Sequence, residues 1–501
     1  MHLLIRKSMA SLQHETEGGE AGVRLRRGLN IWHLSAIGVG STIGAGIFVL
    51  TGTAAADFAG PAVSLSFLLA AVACLFAALC YAEFASMIPV AGSAYTYAYA
   101  TMGEFIAWII GWNLVLEYLL SVSTVAVGWS GYFTSFLADH HLHLSAAVSG
   151  PPLTHDEMGR WLATGGIINL PAVAIVVAVT AVLSLGIKES ALINSLMVGV
   201  KILVILLVIG AGFFFINPSN WHPYIPDNSG TPGHFGWTGV VRAASLVFFA
   251  YIGFDAVSTS AQEARDPRRA VSIGLLTSLI VCTVLYIAMS LVLTGLAPYA
   301  MLAVPHPVFV AVDHAGPALS WLKPLVSIGA IVGLASAMLA TLYGQIRIFY
   351  SMARDGMISS VFSRLHPRTC VPTAGTWYAG GAAALVAGFF PIEVLGELVS
   401  IGTLMAFAIV CAGVVVLRYT HPQLPRPFRV RFVIPVGLAG VITCLGLMFS
   451  LPADTWIRLA VWLAAGIVIY FGYSYRHSRL RASLRLSAPP NAARPTTRVA
   501  E

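Results

Sequence analysis

The stretch GVGSTIGAGIF, residues 38–48, sets four glycines, Gly38, Gly40, Gly44 and Gly46, inside an apolar run from Ile31 to Gly52. A helix in a lipid core must satisfy its own backbone groups. Glycine works against this, because it weakens a helix by about 1 kcal/mol relative to alanine and admits conformations closed to other residues. Two readings follow. Gly40-Ser-Thr-Ile-Gly44 is a G-x-x-x-G face of the kind that lets membrane helices approach closely. Equally, Ser41–Gly46 is a break whose freed N–H groups, helped by the helix dipole, face an anion. By itself the stretch leaves both open.

The chain around it is that of an all-α, polytopic membrane protein. Charged residues make up 10% of 501 and hydrophobic ones 57%, with a mean hydropathy of +0.82. A soluble domain carries about 25% charged residues. Apolar stretches long enough to cross a bilayer predict twelve spans, near 31–52, 61–86, 96–137, 169–185, 191–216, 238–261, 271–296, 320–350, 374–390, 394–418, 432–451 and 456–474. No composition break marks a second domain. The expected division is a cytoplasmic segment 1–28, a transmembrane domain 29–475 and a cytoplasmic tail 476–501, whose end LSAPPNAARPTTRVAE (486–501) has the Pro/Ala/Arg character of a solvated extension.

The net charge of +7 follows this topology. With the N-terminus inside, 23 lysines and arginines fall on cytoplasmic segments and three, Arg160, Lys323 and Arg458, on outer loops. That is the positive-inside bias, with both termini in the cytoplasm of an inner (plasma) membrane, and it removes any need for a nucleic-acid partner. The N-terminal segment has no apolar core followed by a cleavage site, so no signal peptide is expected. Cys74, Cys80, Cys282, Cys370, Cys411 and Cys444 show no metal-ligand spacing and read as small buried hydrophobes. In the outer loop 138–168, Asp139, His140, His141 and His143 are adjacent but share no face of a regular element, and read as a solvated loop.

Spans one and six are irregular. The sixth reads SLVFFAYIGFDAVSTS, with Gly253 and Asp255 in its inner half. The two lie five spans apart, and because five is odd the second set runs opposite to the first. Inverted repeats with matching interrupted helices mark the midplane site of many secondary transporters. Such breaks suit a zwitterion such as an amino acid, with N–H groups for its carboxylate and freed carbonyls for its ammonium. Ionisable residues in spans favour this reading, since each costs about 2.5–3.5 kcal/mol at a helix centre. Lys201 is the deepest; burial disfavours its charged form, so it is read as a proton-loading site, with a static ion pair to a buried carboxylate as the rival. Glu117 and Asp255 stand open between substrate-facing and structural roles. Glu83, Arg242 and Glu397 lie near span ends and read as snorkelling or capping.

GVGSTIGAGIFVLTG (38–52), PVAGSAYTYAYATMGEFIAWIIGWNLVLEY (89–118), LGIKESALIN (185–194), FFAYIGFDAVSTSAQEARDP (248–267), LYGQIRIFYSMARDG (342–356) and IGTLMAFAIV (401–410) occur in order at fitting spacing. With them the chain resembles bacterial members of the cationic amino acid transporter family, in the amino acid–polyamine–organocation superfamily, over about residues 28–475. The resemblance implies the leucine-transporter-type fold: a five-plus-five inverted repeat with broken helices 1 and 6, and two further helices. It implies a substrate carboxylate on the amides of Ile43, Gly44, Ala45 and Gly46, next to Thr42. The ammonium would meet carbonyls around Phe248, Ala250 and Tyr251, next to Phe254. Lys201 matches a lysine that takes the place of sodium between spans one, five and eight of sodium-coupled relatives, which implies proton coupling or cation-independent exchange. Glu117 and Asp255 match acidic positions near the pocket, and Thr341 falls where span eight limits side-chain size. Asn113 stands where relatives often carry Asp, and Thr341 is smaller than the methionine of many bacterial relatives, which implies a roomier pocket.

The expected function is a secondary active amino acid transporter working by alternating access. It is proton-coupled, takes cationic or neutral L-amino acids, and has no cofactor beyond the proton as coupling ion. Its partners are the small-molecule amino acid and membrane lipid, with no obligate protein partner. An exchanger and a non-transporting amino acid sensor on the same fold stay open as alternatives. A channel needs rings of carbonyls or charges, which this chain lacks. An enzyme is not expected, because neither H-E-x-x-H nor G-x-S-x-G occurs.

Overall fold

A chain with no water to bond to closes its backbone hydrogen bonds within helices, and the computed structural model is built almost wholly that way. It describes residues 5–7, 30–87, 93–155, 161–228, 230–259, 264, 266–367, 369, 371–420 and 422–487. Among these, the only strands are β1 (Leu153–His155) and β2 (Trp161–Ala163), which pair antiparallel. Eight helices are long and apolar enough to cross a membrane, and Leu170–Leu185 and Val433–Phe449 are shorter apolar helices.

In chain order the main helices are α1 (Ile31–Thr42), α2 (Val63–Met87), α3 (Ser93–Thr101), α4 (Glu104–Asp139), α5 (Leu170–Leu185), α6 (Ile187–Gly212), α7 (Gly236–Val247) and α8 (Pro267–Leu296). They continue with α9 (Pro307–His314), α10 (Leu322–Arg354), α11 (Thr373–Phe389), α12 (Ile392–Thr420), α13 (Val433–Phe449), α14 (Ala453–Ile469) and α15 (Arg479–Ser487). After α1 the chain breaks, then resumes as a π-helical segment Gly46–Leu50 that runs on through Ala59. After α7 it tightens into a 3-10 turn, Phe248–Tyr251, before a one-turn helix at Ala256–Thr259.

One predicted span is two helices. The stretch 96–137 splits into α3 and α4 because Gly103 adopts φ +102° and the amides of Met102 and Gly103 both close on Ala98 O, at 2.8 and 3.0 Å. A left-handed glycine with doubled bonds to one carbonyl is a helix stop.

Small residues set the helix contacts, as expected where lipid offers no hydrophobic drive for association. A Cβ on Gly329 of α10 would meet Val204 of α6 at 2.5 Å, and one on Gly466 of α14 would overlap the Trp112 ring on α4. That close approach lets Trp112 and Trp462 stack at 4.4 Å while each indole N–H donates to the other's backbone oxygen, at 2.8 and 3.2 Å.

Short described stretches near both chain ends dock on the helices, while 488–501, most of the expected solvated tail, lie outside the described residues. Buried Glu104, at the start of α4, accepts from Arg481 Nε at 2.6 Å, Ser478 Oγ at 2.5 Å, Tyr470 Oη at 3.0 Å and Tyr99 Oη at 3.1 Å. Lys7 pairs with Asp355 at 2.8 Å, and Asp355 O accepts from the amide of Arg479. A carboxylate buried at a helix start needs such donors, and the C-terminal segment supplies them.

Candidate functional site

Helix α1 stops because Ile43 turns to an extended conformation (φ −73°, ψ 107°) while its amide still donates to Val39 O at 3.1 Å. The Ile43 N–H, one of the expected carboxylate donors, is thus engaged inside α1 in this structure. The next two amides, of Gly44 and Ala45, have no backbone acceptor among the described residues, and Gly46 opens the π-helical segment. The described chain therefore presents a run of N–H groups at a helix start, at Gly44–Gly46. Thr42 lies just before the run, with its hydroxyl donating to Gly38 O at 2.7 Å.

The glycines do not form one packing face. A Cβ on Gly38 would collide with Ser278 of α8, and one on Gly40 with Val198 of α6, whereas one on Gly44 would face Ala337 of α10 at 3.2 Å. Gly38 and Gly40 serve packing. Gly44 lies at the break, and Gly46 lets it touch the second break, since a Cβ there would overlap Ala250.

That second break comes where the 3-10 turn ends and Gly253 takes φ +109°. Two cross-ties hold the breaks together. Ser41 Oγ donates to Gly253 O at 2.8 Å, and a Cβ on Gly253 would come within 2.8 Å of Ser41 O. Tyr286 Oη on α8 lies 2.7 Å from Ala250 O and 3.0 Å from Thr42 O, one hydroxyl spanning both interrupted helices. The expected ammonium acceptors are thus partly engaged: Ala250 O already holds Tyr286, and Phe248, Tyr251 and Phe254 are fully buried beside it. Phe254 packs edge-on against Tyr81 and Phe407, and Tyr251 donates to Phe67 O at 2.9 Å.

Lys201 of α6 is fully buried. Its ammonium donates to Ile43 O at 2.8 Å and to Gly40 O, the carbonyls that the end of α1 leaves without helical partners. Gly333 of α10 makes room for its stem: a Cβ there would lie 2.8 Å from Lys201 Cβ. Lys201 thus stands between the first break, α6 and α10, and forms no salt bridge among the described residues.

Glu117 and Asp255 come together beside Tyr118. Tyr118 Oη lies 3.4 Å from Asp255 Oδ2, Thr403 of α12 stands beside the Glu117 carboxyl, and Glu117 Oε2 has no hydrogen-bond partner among the described residues. Thr341 is half-buried on α10. Asn113 instead ties α4 to α12 by donating to Gly402 O.

The ionisable groups near helix ends are paired, which corrects their reading as snorkelling or capping. Arg242 bonds Glu397, whose other oxygen accepts from Thr455 at 2.8 Å. Glu83 accepts from Arg418 at 2.7 Å, from Val430 N at 2.9 Å and lies 3.3 Å from Arg426. The loop residues His140, His141 and His143 are exposed. Five cysteines are free and buried; Cys370 lies outside the described residues.

Sequence reasoning missed Tyr286, Gln345 and the docking of Arg481. The signal for the first two was present: a lone tyrosine and a lone amide in otherwise apolar spans, each needing a partner.

Residues 29–473 match the family model described as amino acid permease. The chain is 45% identical over 476 residues to a branched-chain amino acid permease of Bacillus subtilis, covering 95% of this chain and 98% of that protein. It is 45% identical over 458 residues to a methylthioribose transporter of the same organism, covering 91% and 95%. A vacuolar cationic amino acid transporter of Arabidopsis thaliana is 37% identical over 424 residues, covering 84% and 68%.

Proposed function

We propose a transport cycle from the premise that this chain belongs to the amino acid permease family, of the amino acid–polyamine–organocation superfamily. It is a membrane transporter, and its family and relatives are transporters and not enzymes. Our reading of the architecture is twelve spans over residues 29–475 with the first ten as a five-plus-five inverted repeat, in the inner membrane, both termini cytoplasmic. Our reading of the work done is proton-coupled uptake of neutral and cationic L-amino acids, with broad specificity, by alternating access.

The observation that carries this reading is the bond from Lys201 to Ile43 O and Gly40 O at the end of α1. Charged, Lys201 makes two charge-assisted hydrogen bonds, each stronger than a neutral one. They hold α1 at its break, directly before the amides that would receive the carboxylate. When the proton leaves, the charge assistance is lost and α1 is freer to swing. Substrate at Gly44–Gly46 and the proton on Lys201 then bias the same two-state element, which is what coupling requires.

The relatives' names span branched-chain amino acids, cationic amino acids and methylthioribose, so substrate class is argued from the pocket. The half-buried Thr341 and the inner carboxyl groups fit neutral and cationic amino acids. The test is competition for uptake of labelled alanine in proteoliposomes by a panel of L-amino acids. We expect neutral and cationic members to compete. Failure of every L-amino acid to compete would overturn the reading.

A further inference from the structure

We propose that Gln345 is a specificity-determining residue, whose amide receives the hydrogen-bonding far end of a long substrate side chain. This rests on the amino acid reading above.

Gln345 is 1% exposed, and neither Nε2 nor Oε1 has a hydrogen-bond partner among the described residues. Buried side-chain amides are almost always satisfied, so such a group points to a partner from outside the protein.

Its position says which partner. Met338, Gln345 and Met352 recur every seven residues and so lie on one stripe of α10. Met352 of that stripe, and Ala337 and Gly344 of the stripe beside it, place this part of α10 along α4. A Cβ on Gly111 of α4 would touch Met352 at 2.9 Å, one on Gly344 would touch the Tyr118 ring at 2.6 Å, and one on Gly44 would lie between Ala337 and Val125, at 3.2 and 3.9 Å. The two antiparallel helices are thereby aligned, with Gln345 level with Tyr118 and Ala337 level with the break. Eight residues part Ala337 from Gln345, about 12 Å of helix. Thr341 sits midway on the same helix.

A substrate carboxylate on Gly44–Gly46 therefore leaves Gln345 out of reach of a short or branched side chain. The distal end of a long one comes within its range. The company there is rich in acceptors: Glu117 Oε2 is also unpartnered, and Asp255 lies 3.4 Å from Tyr118 Oη. The amide adds both a donor and an acceptor. The end group this suits carries several N–H or O–H donors, as a guanidinium, an ammonium or a hydroxylated end does.

The experiment is competition against labelled alanine uptake in proteoliposomes of the full chain, comparing Gln345→Leu and Gln345→Glu with the parent. Arginine, lysine and glutamine probe the far end; leucine and valine serve as controls. Gln345→Leu keeps the bulk and removes the hydrogen bonds. It should weaken competition by arginine about tenfold to a hundredfold and by glutamine about threefold to tenfold, the ranges for a lost bond to a charged and to a neutral group, with alanine KM and leucine competition within about twofold. Gln345→Glu should retain arginine and weaken glutamine. An unchanged rank order in Gln345→Leu, or an equal loss for all competitors, would overturn the proposal. If the parent carries alanine but is not inhibited by any long polar amino acid, the Gln345 assignment fails alone; if no amino acid is carried, the functional reading fails first.

Discussion

Lys201 Nζ lies 2.8 Å from Ile43 O, so this fully buried lysine is bonded to the residue at which the first helix breaks. Its neighbour across the site, Gly333, has no room for a side chain. Gly333→Ala should therefore push the Lys201 stem and loosen its grip on α1, costing about 1–3 kcal/mol as overpacking does. We expect a lower melting temperature in detergent and weaker proton-driven uptake together. An unshifted melting curve with normal uptake would contradict the packing described.

Gly44→Leu fills the break with a side chain where a single Cβ would already stand 3.2 Å from Ala337. Alanine binding, read by ligand-induced thermal shift, should vanish, while membrane insertion and monodispersity persist. Unchanged affinity would return Gly44 to a packing role.

Tyr286→Phe deletes the hydroxyl that spans Thr42 O and Ala250 O. Hydrogen bonds between membrane helices contribute only about 0.6 kcal/mol on average, so stability should hardly change. The two breaks lose their shared tie, however, and alanine affinity should fall several-fold. A large loss of stability with intact affinity would assign Tyr286 to structure only.

Arg481→Ala removes a donor from Glu104, a carboxylate with no exposure of its own. Breaking one side of a buried pair costs about 3–5 kcal/mol, and melting should fall sharply. Adding Glu104→Gln should recover part of the loss, because coupled partners are not additive. Strictly additive losses would show that the C-terminal helix is not held by this pair.

Much of this was legible in the chain itself. Composition and charge bias define a membrane protein, Gly44–Gly46 marks the break, and Lys201 announces itself by its cost in lipid. The rest depends on long-range partners. Whether Gly40 and Gly44 share a face depends on which helices come to meet them, and they meet α6 and α10 respectively. Glu104 and Arg481 are separated by 377 positions, and no local pattern joins them. Which amides the break frees depends on where α1 stops, and the Ile43 N–H still bonds Val39 O. Gly103 splits the third span through a backbone angle that glycine permits but does not impose.

The central claim is that Lys201 couples a proton to substrate movement. Its most direct test is uptake of labelled alanine into proteoliposomes in sodium-free buffer, with an inward proton gradient imposed and then collapsed by a protonophore. The account predicts accumulation above equilibrium that disappears with the gradient and is absent from Lys201→Ala, which still exchanges alanine across the membrane. Accumulation that requires sodium, or a Lys201→Ala variant that still concentrates alanine, would contradict it.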